Sequence, residues 1–374
     1  MRVNGKPYRT LWVDDDGWSL RIIDQTRLPH AFETLRLQSA DDAARAIKVM
    51  QVRGAPLIGI TGAYGLALAL RADPGDRNLG ASLSLLLATR PTGANLKWAL
   101  ERVRALVEPL RPDDRAAAAY REAAAIADED VEINRSIGTH GLRLIQALAD
   151  KKPRGAVVNL LTHCDAGWLG TADWGTAHAP IFMAADAGLR VHVWVSETRP
   201  RNQGAALSAW EFSSHGVPHT VIADNAAGHL MQHGKVDLII VGADRVTSQG
   251  DTANKVGTYL KALAAFDNGV PFYVALPSPT IDWTLRDGRA EIIVEERDPR
   301  EVTHIGGVDA AGIAREVRLT PEGTAAANPA FDVTPARLIR GLITEKGLCP
   351  ATPAGLRSLF PSLGLSEGLL SPRS

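Results

Sequence analysis

One short stretch of this chain carries the residue types that could do chemistry. It reads Thr162-His163-Cys164-Asp165-Ala166-Gly167. It follows an apolar run, residues 156–161, which reads as a buried strand. The Gly-punctuated segment after it, residues 167–177, can open a helix. A strand that ends in a polar turn and feeds a helix is where open α/β sheets bind their ligands. A helix N-terminus at that point would favour the thiolate of Cys164. The plainer alternative is a buried structural cysteine. Neighbouring residues rarely point the same way, so His163 and Cys164 do not make a convincing nucleophile–base pair.

Two further breaks carry cations. Arg53-Gly54-Ala55-Pro56 interrupts one helical pattern, and Arg90-Pro91-Thr92-Gly93-Ala94-Asn95 interrupts another. An arginine beside a fresh helix N-terminus suits an anion, although each could be a solvated loop residue. There is no G-x-G-x-x-G turn and no phosphate-binding P-loop motif, so a conventional nucleotide cofactor is not expected. The histidines lack metal-ligand spacing, and no metal is expected.

The elements that must position these groups change character along the chain. Residues 10–13 and 18–23 flank the turn Asp14-Asp15-Asp16-Gly17 and read as a hairpin. Ser39-Ala40-Asp41-Asp42 reads as a capping box with Asp in the Glu position, opening a helix over 43–52. Helices over 60–70, 81–89, 96–107 and 112 to about 137 follow. From Gly155 on, five apolar runs alternate with helix-length segments: 157–161, 191–195, 220–223, 238–241 and 272–276. That alternation predicts a parallel, doubly wound sheet whose polar clusters gather at one edge. Lys255 is expected to open one of the helices. A strand over 290–294, and a helix over 336–345 capped by the segment from Asn328, complete the reading. The expected division is a small β plus helical domain (1–145), an α/β domain (146–349) and a loosely packed tail (350–374).

Composition narrows the function classes. Across 374 residues, 45% are apolar and 22% charged, and the net charge of −1 recruits neither nucleic acid nor an anionic membrane. Two cysteines fit a reducing compartment better than a disulfide framework. No targeting segment and no apolar run of membrane-spanning length is evident, so the cytoplasm is the expected location.

Seven segments together carry a family resemblance. They are Arg53–Pro56, Arg90–Asn95, Thr162–Cys164, Ser196–Pro200 with Gln203-Gly204, Gly242-Ala243-Asp244-Arg245, Gly250-Asp251 with Ala253-Asn254-Lys255 and Gly257-Thr258-Tyr259, and Asn328–Asp332. With these the chain resembles the methylthioribose-1-phosphate isomerases of methionine salvage, over about residues 10–347. The resemblance implies a smaller N-terminal domain, a Rossmann-like C-terminal domain with no cofactor, and a homodimer acting on a small sugar phosphate. The implied reaction turns 5-methylthioribose 1-phosphate into 5-methylthioribulose 1-phosphate. It also implies Cys164 and Asp244 as the catalytic pair. Substrate contacts carry over to Arg53, Gly54, Ala55, Arg90, Gln203, Asn254 and Lys255. Two features depart from the family pattern: Asp165 stands where Asn is usual, and residues 167–174 are bulkier than usual.

The chemistry asks for such residues. Phosphate on the anomeric oxygen blocks simple ring opening, so an acid must protonate the ring oxygen while hydrogen moves from C2 to C1. A carboxyl in a partly dry cleft, here Asp244, can serve as that acid. Cys164 could move the C2 proton as thiolate, or stabilise charge while the hydrogen shifts as hydride. Arg53, Arg90 and Lys255 supply charge for the phosphate. Trp98, Trp168 and Trp174 are candidates for an apolar wall beside the methylthio end, or for the core. The rivals are isomerases of 5-deoxyribose 1-phosphate or ribose 1,5-bisphosphate, a regulatory subunit of a translation-initiation exchange factor, and a sugar-phosphate-binding protein.

Overall fold

The computed structural model describes residues 1–91 and 93–362. Thr92, in the second arginine-bearing break, and residues 363–374 of the expected tail lie outside the described residues.

Five apolar runs become the strands Val158–His163, Val191–Ser196, His219–Ile222, Leu238–Val241 and Phe272–Ala275. All pair in parallel. Gly341–Thr344 adds a sixth parallel strand and Gly347–Cys349 an antiparallel edge. Alternate residues serve opposite faces, as the two-residue period of a strand requires. Val158, Leu160, Leu238 and Ile240 pack into one core, and Leu161, Ile239 and Val241 into another. Helices cover both faces of the central strands, which is why a strand such as Leu238–Val241 reads as an unbroken apolar run.

Strand order fixes the place of the site. Val158–His163 lies between Leu238–Val241 on one side and Val191–Ser196 on the other, and from that point the chain winds outward in both directions. The crevice beyond the carboxyl ends of the two strands at such a reversal is where open sheets bind ligands. Cys164 follows the first of these strands and Asp244 comes three residues after the second.

A second, four-stranded sheet stands at the same end. It contains Ile281–Asp282, Arg245–Thr247, Thr252–Lys255 and Phe331–Thr334. Lys255 therefore ends a strand and does not open a helix. The next helix, Thr258–Asp267, starts after Gly257 at φ +100°. Its first amides are capped from a distant part of the chain: Gly257 N–H and Tyr259 N–H donate to Asp332 at 2.7 and 3.1 Å. The segment from Asn328 likewise leads into a strand and not a helix. Residues 336–345 form one 3-10 turn and then the fully buried strand Gly341–Thr344. A four-residue apolar run buried on both faces suits a parallel sheet better than a surface helix. Residues 290–294 are not a strand. Asp287 caps a short helix, Gly288–Glu291, through the amides of Arg289 and Ala290, and Ile293 beyond it is exposed.

In the N-terminal part the hairpin Leu11–Val13 and Leu20–Ile23 forms as expected and gains a third strand, Thr34–Leu37. Ser39 caps the helix Ala40–Lys48 by accepting from Asp42 N–H at 3.1 Å. The helix Ala55–Ala72 is long and apolar enough to cross a membrane, contrary to the expectation that no run reaches that length. Its apolar character has a packing cause, because 72% of it is buried inside the protein. Pro112–Ala149 extends beyond its expected end and joins both halves, and the expected boundary at 145 falls inside it. Ala118, Ala119 and Ala123 serve the helical core, while Ile137 and Ile145 serve the sheet.

Candidate active site

The turn that bears Cys164 is held at several points. Cys164 has φ +70°, a left-handed backbone that costs a residue with a Cβ about 1 kcal/mol or more. Its N–H donates to Thr198 Oγ1 at 2.9 Å, and its carbonyl accepts from Ser208 Oγ at 2.6 Å. Thr198, Asn202 and Trp174 also have positive φ. Asp224 fixes the neighbouring turn by accepting from the amides of Thr198 and Arg199 at 2.8 and 2.7 Å.

The helix expected after the Cys164 turn forms, but not directly at the thiol. A 3-10 turn, Trp168–Gly170, comes first, and the helix Ala179–Asp186 begins well beyond it. Burial pushes the Cys164 thiol well above its usual range, the charge and hydrogen bond of Asp165 add to this, and Lys255 opposes it. Cys164 Sγ donates to Asp165 Oδ1 at 2.9 Å. His163 does not bond to the sulfur. It is fully buried, with Nε2 at 2.9 Å from Val256 O, and burial lowers its pKa to about 3, which leaves it neutral.

The Asp244 turn lies against the Cys164 turn. A Cβ on Gly242 would meet the Ala166 Cβ at 2.8 Å, so only glycine allows this approach. The side chain of Asp244 is open to the cleft, and no described residue hydrogen-bonds its carboxyl. Protein crowds it from the other directions, and this burial raises it to about 6; Asp165 adds to the rise, while Lys255 and Arg90 oppose it. Asp244 N–H pairs with Ala253 O at 2.9 Å. That pairing brings the strand carrying Asn254 and Lys255 alongside. Lys255 is buried, donates to Ala330 O at 2.8 Å and lies 5.0 Å over the Phe331 ring. Asn254 donates to Thr258 Oγ1 at 3.0 Å.

Arg53 closes the site from the N-terminal part. Its Nε is 3.7 Å from Asp165, and its Nη2 donates to Gln203 at 2.8 Å when that amide is oriented to satisfy both of its ends. Gly54, at φ +86°, packs so closely on Gly170 that a Cβ would meet its carbonyl oxygen at 2.2 Å. Gly54 and Gly93 precede the helices Ala55–Ala72 and Ala94–Val107 without any side-chain cap, which leaves amides free for an anion. Arg90 Nε is buried with no partner among the described residues. Burial lowers the pKa of both arginines, as do their neighbours Arg201 and Arg297. Cys164, Asp244, Arg53, Gly54, Arg90, Gln203 and Lys255 thus gather around one cleft. Asn254 lies beneath it, and Ala55 begins the helix that faces it.

The initiation factor 2 subunit family matches residues 51–351. A methylthioribose-1-phosphate isomerase of Methylocella silvestris is 61% identical over 360 residues, which span 96% of this chain and 98% of that protein. The chain belongs to the methylthioribose-1-phosphate isomerases. The crystal structure of 5-methylthioribose 1-phosphate isomerase from Pyrococcus horikoshii OT3 is similar, with TM-score 0.82 and 39% identity over 95% of this chain and 96% of that one. A translation initiation factor eIF-2B delta subunit from A. fulgidus has TM-score 0.79 and 36% identity over 95% and 100%. The fold is therefore shared by proteins named as enzymes and as translation factors.

For a member of this isomerase family, the structure adds residues that sequence reasoning passed over. Arg201 and Arg297 belong to the cationic cluster, both paired with Glu301 at 2.7 and 3.3 Å. Arg201 lies just past the segment Ser196–Pro200, and the signal there was a second arginine two residues after Arg199. Arg297 follows Glu295-Glu296, and no sequence signal marks it. Of the three tryptophans, Trp168 is buried in the core. Trp98 is 41% exposed and lines a cavity of about 30 Å³ with Pro56, Ile60, Ile126, Ile133 and Pro277.

Proposed function

We propose that this isomerase converts 5-methylthioribose 1-phosphate into 5-methylthioribulose 1-phosphate, with Asp244 as the acid and Cys164 as a neutral thiol beside the migrating hydrogen. One observation carries the reading: Asp244 and Cys164 emerge from adjacent strands where the sheet order reverses, beside Arg53, Arg90 and Lys255. Over the reaction C2 and its hydroxyl each lose a hydrogen, while C1 and the ring oxygen each gain one. Asp244, raised to about 6, gives its proton to the ring oxygen as the bond to C1 breaks. Cys164 is the weaker choice as a resting base, because its proton is bound to a carboxylate in a buried turn. The reading that fits is charge stabilisation by the thiol while the C2 hydrogen passes to C1 as hydride and the Asp244 carboxylate takes the C2 hydroxyl proton, which restores the acid.

Arg53, Arg90, Lys255 and the uncapped amides after Gly54 hold the phosphate. Gln203 positions Arg53, and Asn254 braces the start of the next helix through Thr258. The cavity beside Trp98 begins at Pro56, next to Ala55, and Asn95, Glu129 and Asp130 stand among its otherwise apolar lining. Its mainly apolar wall suits the methylthio group. A 1,5-bisphosphate would need cations there, and the extra arginines of the cluster, Arg201 and Arg297, are already bound to Glu301. A cytoplasmic homodimer goes with this reading, and light scattering on the purified protein tests the dimer.

The kcat/KM for 5-methylthioribose 1-phosphate, 5-deoxyribose 1-phosphate and ribose 1,5-bisphosphate should fall in that order. A preference for the bisphosphate would replace the substrate, and no turnover of any of them would replace the enzymatic reading.

A further inference from the structure

Asp165 stands next to the thiol and does more than fill space. Its two oxygens face different partners. Oδ1 accepts the Cys164 thiol hydrogen bond at 2.9 Å, and Oδ2 faces Arg53 Nε at 3.7 Å. The carboxyl is largely buried, with 12% of its side chain exposed. Burial alone would raise its pKa. Arg53, the thiol and Lys255 together outweigh that and keep Asp165 below the usual carboxylate range, hence ionised. The Cys164 backbone is clamped at both its N–H and its carbonyl, which fixes the turn that presents the sulfur to Asp165. The charged groups around the pair are Arg53, Lys255, Asp244, Lys261 and Glu211.

We infer that Asp165 is a positioning residue of the isomerisation: anchored by Arg53, its carboxylate holds the hydrogen of Cys164 and keeps the sulfur a neutral thiol. The inference rests on Cys164 taking part in the reaction, but its geometry does not depend on which sugar is turned over. It has two consequences. Cys164 enters the reaction as thiol, so the turnover that remains after Asp244 has ionised is lost where the thiol finally ionises. The same arrangement shields the sulfur from electrophiles and oxidants, which attack thiolates. An asparagine at this position would accept the same hydrogen bond without the charge, and would leave the thiol easier to ionise.

The test compares wild type with Asp165→Asn. Peptide mass spectrometry follows iodoacetamide alkylation of Cys164 from pH 6 to 11, with Cys349 as an internal control, and kcat is followed over the same range. The midpoint of Cys164 alkylation should fall by at least one pH unit in the variant, and so should the alkaline limb of the residual kcat once Asp244→Asn, introduced into both proteins, has removed the limb set by Asp244. Asp165→Ser also removes the charge, and it serves if the Asn variant melts early. Superimposable alkylation profiles would overturn the inference whether or not the enzyme turns over. A shifted alkylation profile with an unmoved residual kcat limb in the Asp244→Asn background would overturn the link to the reaction. Loss of turnover in wild type itself would strike the functional reading and leave the thiol–carboxylate result standing.

Discussion

Arg53 Nε lies 3.7 Å from Asp165 Oδ2, so a cation from the helical part of the chain is tied to the turn that carries the thiol. The same guanidinium reaches Gln203 at 2.8 Å. Substrate phosphate arriving at Arg53 therefore meets a group already fixed in direction, which lowers the ordering cost of binding.

Arg53→Ala should act mainly on binding. We expect KM to rise roughly tenfold or more, about 1.4 kcal/mol, with a smaller fall in kcat. Steady-state kinetics on the sugar phosphate checks this, and an unchanged KM would remove Arg53 from the phosphate site.

Asp244 gives a prediction with a definite sign. An acid works only while it keeps its proton, and this carboxyl loses it at about pH 6. The step that needs Asp244 should slow by about tenfold per unit as pH climbs beyond that value. Asp244→Asn should lower kcat by about 10²-fold or more and flatten this limb. Stability follows the same linkage. The folded value is raised above the unfolded one, so its contribution is full below the unfolded value and is lost as pH rises through about 6. Asp244→Asn should therefore melt higher than wild type at pH 8, as calorimetry would show.

Gly54→Ala should be costly for two reasons. The φ of +86° disfavours any side chain, and the new Cβ would run into the backbone of Gly170. We expect a loss of about 1–3 kcal/mol, seen as a lower Tm, together with weaker phosphate binding. A variant as stable and active as wild type would show that the two turns can separate freely.

Trp98→Ala tests the seat of the methylthio group. The kcat/KM for the methylthio sugar should fall by about tenfold, while that for the 5-deoxy sugar changes less, because the smaller group leaves the cavity partly empty in either case. Equal losses for both sugars would place the 5-substituent elsewhere.

How much of this was legible in the sequence depended on the range of the interactions involved. The sheet strands were readable because a strand buried on both faces must be an unbroken apolar run, as Leu238–Val241 is. The positions of Cys164 and Asp244 followed from the strand–turn rule. The small sheet was not readable. Asn254 and Lys255 pair with Asp332 and Phe331, far along the chain, and no local pattern distinguishes such a strand from the opening of a helix. The cap supplied by Asp332 to the helix Thr258–Asp267 is equally non-local. The buried surroundings of the thiol were hidden for a related reason. Local order suggested a helix N-terminus after Cys164, but the chain forms a long loop there, and Glu211 accepts Leu169 N–H within it at 2.7 Å. Arg297 could be found only once the fold had brought it near Arg90.

The most direct test of the central claim is proton NMR of 5-methylthioribose 1-phosphate in D₂O with wild type, Cys164→Ser and Asp244→Asn side by side. The account predicts ketose formation by wild type, a rate at least about 10²-fold lower in each variant, and little deuterium at C1 if the hydrogen passes directly from C2. Ketose formed at near wild-type rate by either variant, or no ketose from wild type, would contradict it.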